Sequence, residues 1–218
     1  TSIAYVGEPI NEEMIQAVLA RPEINMYNAV LRGEALLPEN LSLIDYNGQY
    51  GADETVSHLI SVEANTNLLL SGHFQSKQLR LTDGQLTGIS GENTAVISDA
   101  LALKNNLHIG DEIQILPNET ENGIPICVKI IGLFTVETAQ QQKENLAPVY
   151  LLENKIFLSP DSGRALSGAA GADYVDFFVS DPALVYEMME NLPKISHIRW
   201  ECFAVTARVE EYEKAAGP

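Results

Sequence analysis

The two ends of the chain carry the same pattern, and that repetition limits the fold more than anything between them. Near the start, residues 3–6 are strand-forming, Pro9 opens a helix, Pro22 closes it, and residues 24–31 read as a strand. Near the end, residues 174–179 read as a strand, Asp181-Pro182 opens a helix, Pro193 closes it, and residues 198–205 read as a strand. Ile10, Met14, Ile15, Val18 and Leu19 fall on one face of the first helix; Leu184, Val185, Met188, Met189 and Leu192 fall on one face of the second. Two β-α-β units of this kind pair into a four-stranded sheet with both helices on one face. The prediction is an α+β fold of the split β-α-β, ferredoxin-like type, with both apolar stripes turned to the core.

Between the ends lies a region of different texture. Residues 47–55 (NGQYGADET) form a polar loop, 58–64 and 68–70 read as strands, and a short strand around 78–81 meets a turn at Thr82-Asp83-Gly84. Residues 94–116 carry the clearest signal. Val96 and Ile97 form a buried strand, Ser98 caps a short helix with Asp99 in its first turn, and Leu101, Leu103 and Leu107 supply apolar surface. Asn105-Asn106 suits a left-handed exit, Gly110-Asp111 turns the chain, and residues 112–115 alternate with period two. Residues 126–136 are the strongest strand, 140–145 (QQQKEN) a polar tip, 149–152 a further strand, and 159–173 (SPDSGRALSGAAGAD) a connector of small residues. The expected division is therefore 1–58 and 173–218 as two halves of one subdomain, with 59–172 as a β-rich insertion.

Composition narrows the classes of function. Thirty acidic against 13 basic residues give a net charge of −17, which argues against nucleic acid and against anionic lipid, since both require a basic surface. Such a surface keeps a domain soluble and steers cationic partners toward it. No run approaches the roughly 18 apolar residues needed to span a bilayer, and no signal-peptide pattern opens the chain. The start at Thr1, without Met, reads as a piece of a longer polypeptide. Cys127 and Cys202 lie on expected strands, far apart and outside any C-x-x-C pair. They are either bonded to each other or free; their apolar settings favour buried free thiols.

The central run AVISDALALKNNLHIGDEIQI followed by VKIIGLFTV resembles the signature of the MacB-like periplasmic core domain, the extracytoplasmic domain of permeases in the MacB/FtsX branch of ABC transporters. Ser98, Leu101, Ala102, Leu107, Gly110, Asp111, Ile113, Ile115, Ile130, Gly132 and Phe134 carry the match. LLLSGHF at 68–74 resembles the segment L-x-x-G-R-x-F, with His73 where that pattern has Arg, and EEYEKAAGP at 210–218 resembles the lead into a membrane helix. The resemblance implies a porter-like subdomain at 1–58 and 173–218 and an inserted Sabre-like subdomain at 59–172. It implies a non-catalytic, cofactor-free module on the outer face of the cell membrane, joined to transmembrane helices before residue 1 and after 218. The implied partners are a cytoplasmic ATP-binding subunit, a second permease copy and an accessory membrane-fusion protein or peptide. ATP-driven closure inside the cell then moves the domains outside, as export or as mechanotransmission. The loop composition and the lack of a disulfide framework point to a Gram-positive surface.

The residues read by themselves offer no catalytic, cofactor or metal site. His58, His73, His108 and His197 lack ligand spacing to one another, and Asn118, Glu119, Glu121 and Asn122 lack the ordered oxygens of a calcium loop. Gly163, Gly168 and Gly171 match neither a phosphate loop nor a nucleophile elbow, and read as connector. Asp45, Asp53 and Glu54 have no basic or nucleophilic companion, while Glu12-Glu13 and Glu210-Glu211 are solvated helix faces. Two surfaces stand out for contact: the tip at 140–145, and the aromatic residues Tyr174, Phe177, Phe178, Tyr186, Trp200 and Phe203. Along 174–179, Phe177 and Val179 share one face and Phe178 takes the other, one face covered by helices and the other either an interface or packed on the insertion. Two rivals remain: a freestanding extracellular sensor that binds cationic peptides, and an exported α/β hydrolase with a deep pocket.

Overall fold

A polar side chain at residue 11 sets where the first strand ends and the first helix begins. The computed structural model describes residues 2–46, 48, 58–85, 93–118, 123–137, 143–184 and 199–201. In it β1 (Ser2–Ile10) runs to Asn11, whose Oδ1 accepts from the Met14 amide at 3.0 Å and caps α1 (Glu12–Leu19). Glu12 and Glu13 add negative charge where the helix dipole favours it. Pro9, expected from sequence to open the helix, does not do so; it lies in β1 where the register with the strand Ala172–Val179 shifts, between Val6 and Ile10.

The chain divides into two compact units, residues 1–29 with 170–218, and residues 30–169. In the first, β9 (Ala172–Val179) lies beside β1, which also pairs with β10 (Arg199–Glu201); the strand order is β10-β1-β9-β2, where β2 is Ile24–Leu36. β1 is antiparallel to both β9 and β10. β9 thus lies between β1 and β2, and β1 between β9 and β10, the strand order expected of the α+β split arrangement. Ile15 and Val18 of α1 bury with Ile24, Val175, Phe177 and Val179, and the alternation along β9 follows the expected faces. The expected second helix, 182–193, opens on a 3-10 turn at Pro182–Leu184 and otherwise lies outside the described residues, as do 202–205 of the last strand.

β2 runs past the expected end at Leu31. Its residues 30–36 pair with β3 (Leu59–Asn65), so the compact units part at 29/30 and 169/170 where the sequence placed boundaries at 58/59 and 172/173. In the second unit β3 pairs with β8 (Ile156–Leu158), β8 with β5 (Thr94–Ser98), β5 with β7 (Ile126–Val136), and β7 with β6 (Glu112–Pro117). β6 returns to β2 through Ala35↔Pro117 and Leu36↔Leu116, which closes a six-stranded ring. Its interior is filled by Ile60, Val62, Ile97, Ile113, Ile115, Val128, Ile130 and Ile156. β4 (Leu79–Gly84) pairs with the far half of β7, outside the ring.

Residues 94–116 form the expected unit. Ser98 Oγ accepts from the Leu101 amide at 2.9 Å, α3 (Asp99–Asn105) follows, and Asn106 exits at φ 52°. Leu101 is buried, but Leu103 is 85% exposed and supplies no core. Three expected elements differ. Leu68–Leu70 is a 3-10 turn that buries its first and last leucines, and α2 (Gly72–Gln75) follows. The expected strand at 149–152 is instead two 3-10 turns, Pro148–Tyr150 and Leu152–Asn154. The expected turn at Thr82-Asp83-Gly84 is absorbed into β4 as a register shift.

The connector at 159–173 contains α4 (Pro160–Ser167). Ser159 caps it, Pro160 takes the first helical position, and Gly168 ends it at φ 68°. Gly163 is a packing site: a Cβ there would lie 2.4 Å from Ala64 Cβ on β3. Gly163→Ala should push α4 from β3 and lower stability by about 2 kcal/mol, read as a shift in urea midpoint at unchanged m-value.

Candidate functional site

The described chemistry-bearing residues mostly close on themselves. His108 is exposed beside Asp111, Asp45 caps the Gly48 amide, and Asn118 donates to Glu34 at 3.3 Å. Cys127 stands exposed on the outer face of β7 next to Glu112; the alternation of that strand turns Val128 inward instead, so the thiol is not buried as its apolar neighbours implied. His197, Cys202, Asp53, Glu54, Tyr186, Phe203 and residues 119–122 lie outside the described residues. Phe177 is core, stacked near Tyr27, while Tyr174 and Phe178 are half-buried. Among the described residues, no group of three His, Cys, Asp or Glu side chains could hold a metal, and no helix is long and apolar enough to cross a membrane.

One expected histidine belongs to a larger constellation. Glu63, on β3, is 1% exposed and has five polar neighbours around its carboxylate. Arg32 Nε on β2 donates to Oε2 at 3.3 Å, and Lys155 Nζ, just before β8, lies 3.5 Å from the same oxygen. Asn65 Nδ2 and Ser71 Oγ each donate to Oε1 at 3.2 Å. His73 Nε2 lies 4.0 Å from Oε2, its Nδ1 is 3.0 Å from Gln78 Oε1, and its ring meets Phe157 edge-on. The strand alternation that buries Val62 and Ala64 gives no clue to this: β3 is buried on both faces, so Glu63 enters the protein on the second.

The charges settle what this group can do. Burial alone would raise the Glu63 pKa, but Lys155, Asn65, His73 and Arg32 together hold it below the usual carboxylate value. Burial pushes His73 below 6.5, opposed by Gln78 and Glu63, and pushes Lys155 below its usual value against the pull of Glu63. Glu63 is thus an ionised carboxylate saturated with donors, neither poised near neutral pH nor open to a substrate. It joins β2, β3, α2 and the approach to β8.

A second group sits at the tip region. Residues 138–142 lie outside the described part, but Lys143 turns inward to pair with buried Glu153, which also accepts from Tyr46 Oη at 3.1 Å. Burial opposes the charge on Lys143 and Glu153 more than restores it, so its pKa rises; Tyr46 is raised by burial first and by Glu153 next. Beside them Asn154 acts as a strand partner made of one side chain. It donates to the Ile44 and Pro148 carbonyls at 2.8 and 2.9 Å and accepts from the Ile44 amide at 2.8 Å. Lys143 and Glu153 therefore fasten the loop around Ile44.

The fold, a split β-α-β unit interrupted by a β-rich unit, is that of extracytoplasmic domains of ABC transporter permeases. The solved extracellular domain of the noncanonic ABC-type transporter YknZ from Gram-positive bacteria superposes with a TM-score of 0.54 at 13% identity, over 92% of this chain and 98% of that one. The periplasmic region of MacB from Actinobacillus actinomycetemcomitans superposes with a TM-score of 0.55 at 8% identity, over 100% of this chain and 94% of that one. In sequence, the chain is 24% identical over 176 residues to the uncharacterized ABC transporter permease YclI of Bacillus subtilis (strain 168). That match takes in 78% of this chain and 36% of the permease, so the chain spans about a third of that relative's length. No family model matches the chain.

Two measurements probe the Glu63 group. Glu63→Gln strands the buried Lys155 ammonium and should lower the unfolding free energy by about 3 kcal/mol, whereas Glu63→Leu with Lys155→Met should recover most of it; urea unfolding of both variants decides. The pH dependence has a definite sign. His73 binds its proton less readily folded than unfolded, so stability falls as pH drops below 6.5. Glu63 is ionised more readily folded, so its contribution is lost as pH drops below about 4.5 and on through its lower folded value. His73→Gln should flatten the first fall and leave the second, measured by thermal unfolding across pH 2–8.

Proposed function

We propose that this chain is the extracytoplasmic domain of an ABC transporter permease of the MacB/FtsX type, a non-catalytic module on the outer face of a cell membrane. The observation that carries the proposal is the pairing of β1 with β10. Ala4 lies opposite Glu201 and Val6 opposite Arg199, so the start of the first strand and the end of the last lie side by side. That is the geometry two membrane helices need if both continue from one domain. The likeness to the YknZ and MacB domains and to the permease YclI supports the same assignment.

In this proposal the unit of residues 1–29 and 170–218 is the porter-like platform, and residues 30–169 are the Sabre-like insertion. The platform receives movement from transmembrane helices driven by a cytoplasmic ATP-binding subunit, in a transporter with two permease copies. The insertion engages an accessory membrane-fusion protein, a peptide or a substrate. The likeness to YclI of Bacillus subtilis and to YknZ from Gram-positive bacteria supports a Gram-positive cell surface.

Exposed Cys127 offers a direct test. In intact cells making the protein from its whole gene, with Cys202→Ser as background, a membrane-impermeant maleimide should label the membrane fraction at Cys127, and Cys127→Ser should abolish the signal. Labelling only after the cells are permeabilised would place the domain on the wrong side and sink the proposal.

A further inference from the structure

β4 is an outer strand: it pairs with β7 on one side, and among the described residues no strand pairs with its other side. The Glu137 amide donates to the Gln78 carbonyl at 2.8 Å, which makes 78/137 a hydrogen-bonded pair of the antiparallel ladder. Alternation then makes 80/135 bonded, while 79/136 and 81/134 are the pairs that do not exchange hydrogen bonds. The amides and carbonyls of Leu79 and Leu81 therefore point away from β7, to the open side.

A groove of about 920 Å³ lies along that side. Leu69, Phe74, Leu79 and Leu81 give it an apolar lining, and Lys77 and Arg80 stand beside them. Leu69 is 45% exposed there, a large apolar side chain left to water. Arg80 pairs with Glu137, but among the described residues Lys77 has no ion pair. Lys77 also occupies a position that favours glycine. The Gln78 and Lys77 amides donate to the His73 and Phe74 carbonyls, closing a Schellman turn after α2 with Lys77 at φ 60°. A lysine held at that angle is strained, and strain of this kind is retained where the side chain has a use.

The surrounding charge selects the occupant. With Arg80 already paired to Glu137, Lys77 is the cation left at the mouth of the apolar groove among the described residues, and on a chain of net charge −17 it complements a carboxylate. A second copy of the same chain brings −17 of its own and is repelled. We propose that the β4 edge and its groove take up an extended segment of a partner protein, apolar at alternate positions and carrying a carboxylate, as an added strand. Backbone bonds to Leu79 and Leu81 supply affinity, the groove reads the alternate side chains, and Lys77 reads the acid. The proposal stands apart from the permease assignment and survives its failure.

The probe is a capped heptapeptide, Thr-Val-Thr-Val-Glu-Val-Thr, titrated into the isotope-labelled 218-residue chain, with a version carrying Lys for Glu as control. Amide exchange at Leu79 and Leu81 should be fast in the free chain and slow once peptide is bound, and the Lys peptide should bind more weakly. Leu81→Pro removes an outward donor without touching a β4–β7 hydrogen bond, and should weaken binding about tenfold. Lys77→Gly relieves the strained angle, so it should melt at a higher temperature than the parent yet bind the acidic peptide about threefold more weakly. That combination separates a recognition role from a structural one. Protection of Leu79 and Leu81 in the free chain, absence of binding, shifts confined to another surface, equal binding by both variants, or sedimentation showing self-association through β4 would each overturn the proposal.

Discussion

Closure of the ring in residues 30–169 depends on a very short contact. β6 meets β2 through two residue pairs, at Ala35 and Leu36, yet this contact turns an open run of strands into a closed one. Without it, β2 and β6 would both present unpaired backbone, and the β-branched interior between them would lose a wall. The surrounding features serve the same closure. β7 supplies one edge first to β6 and then to β4, and its register against β5 shifts between Ala95 and Val96, where the strand leaves the ring. Gly132 sits at that departure because a Cβ there would lie 2.7 Å from the Gln85 carbonyl oxygen.

Where local chemistry and tertiary packing agreed, the elements were legible in the residues. Residues 94–116 carried a cap, a helix, a left-handed exit and an alternating strand in order, and each formed as written. The first helix and the strand at 172–179 were legible for the same reason, since apolar periodicity and turn residues coincided, while most of the second helix lies outside the described residues. The errors came where one signal masked another. The glycines of 159–173 concealed a complete helix start, Ser159-Pro160-Asp161, because Gly163 reads as a linker residue when it is a contact with Ala64. Pro9 drew the expected helix start to itself, whereas Asn11 is the residue whose side chain accepts from a helix amide. The partner change along β2 left no mark at all, since strand residues look alike whichever neighbour they pair with.

The buried charges were the least legible part. Nothing local distinguishes Glu63 from a solvated strand residue; its partners come from positions 32, 65, 71, 73 and 155, which only the fold brings together. His73 was visible as a lone histidine without ligand spacing, and its environment shows why metal spacing was the wrong test. It serves a carboxylate that is already satisfied. Such a group spends free energy on desolvation and returns it only while every partner is in place. It therefore makes the mutual arrangement of β2, β3, α2 and β8 all-or-none, a different property from added stability.

The antiparallel pairing of Ala4 with Glu201 has a mechanical side. Two neighbouring strands, one beginning and one ending at the same edge, respond differently to a shared and to a divided load. Drawn in one direction together, they travel as a single ribbon, and no bond between them is stressed. Drawn apart, they are opened like a zip, rung by rung, at forces far below those needed to slide one past the other. The pairing at this edge therefore resists a shared pull better than a spreading one, a response set by nothing more than where the first and last strands stand.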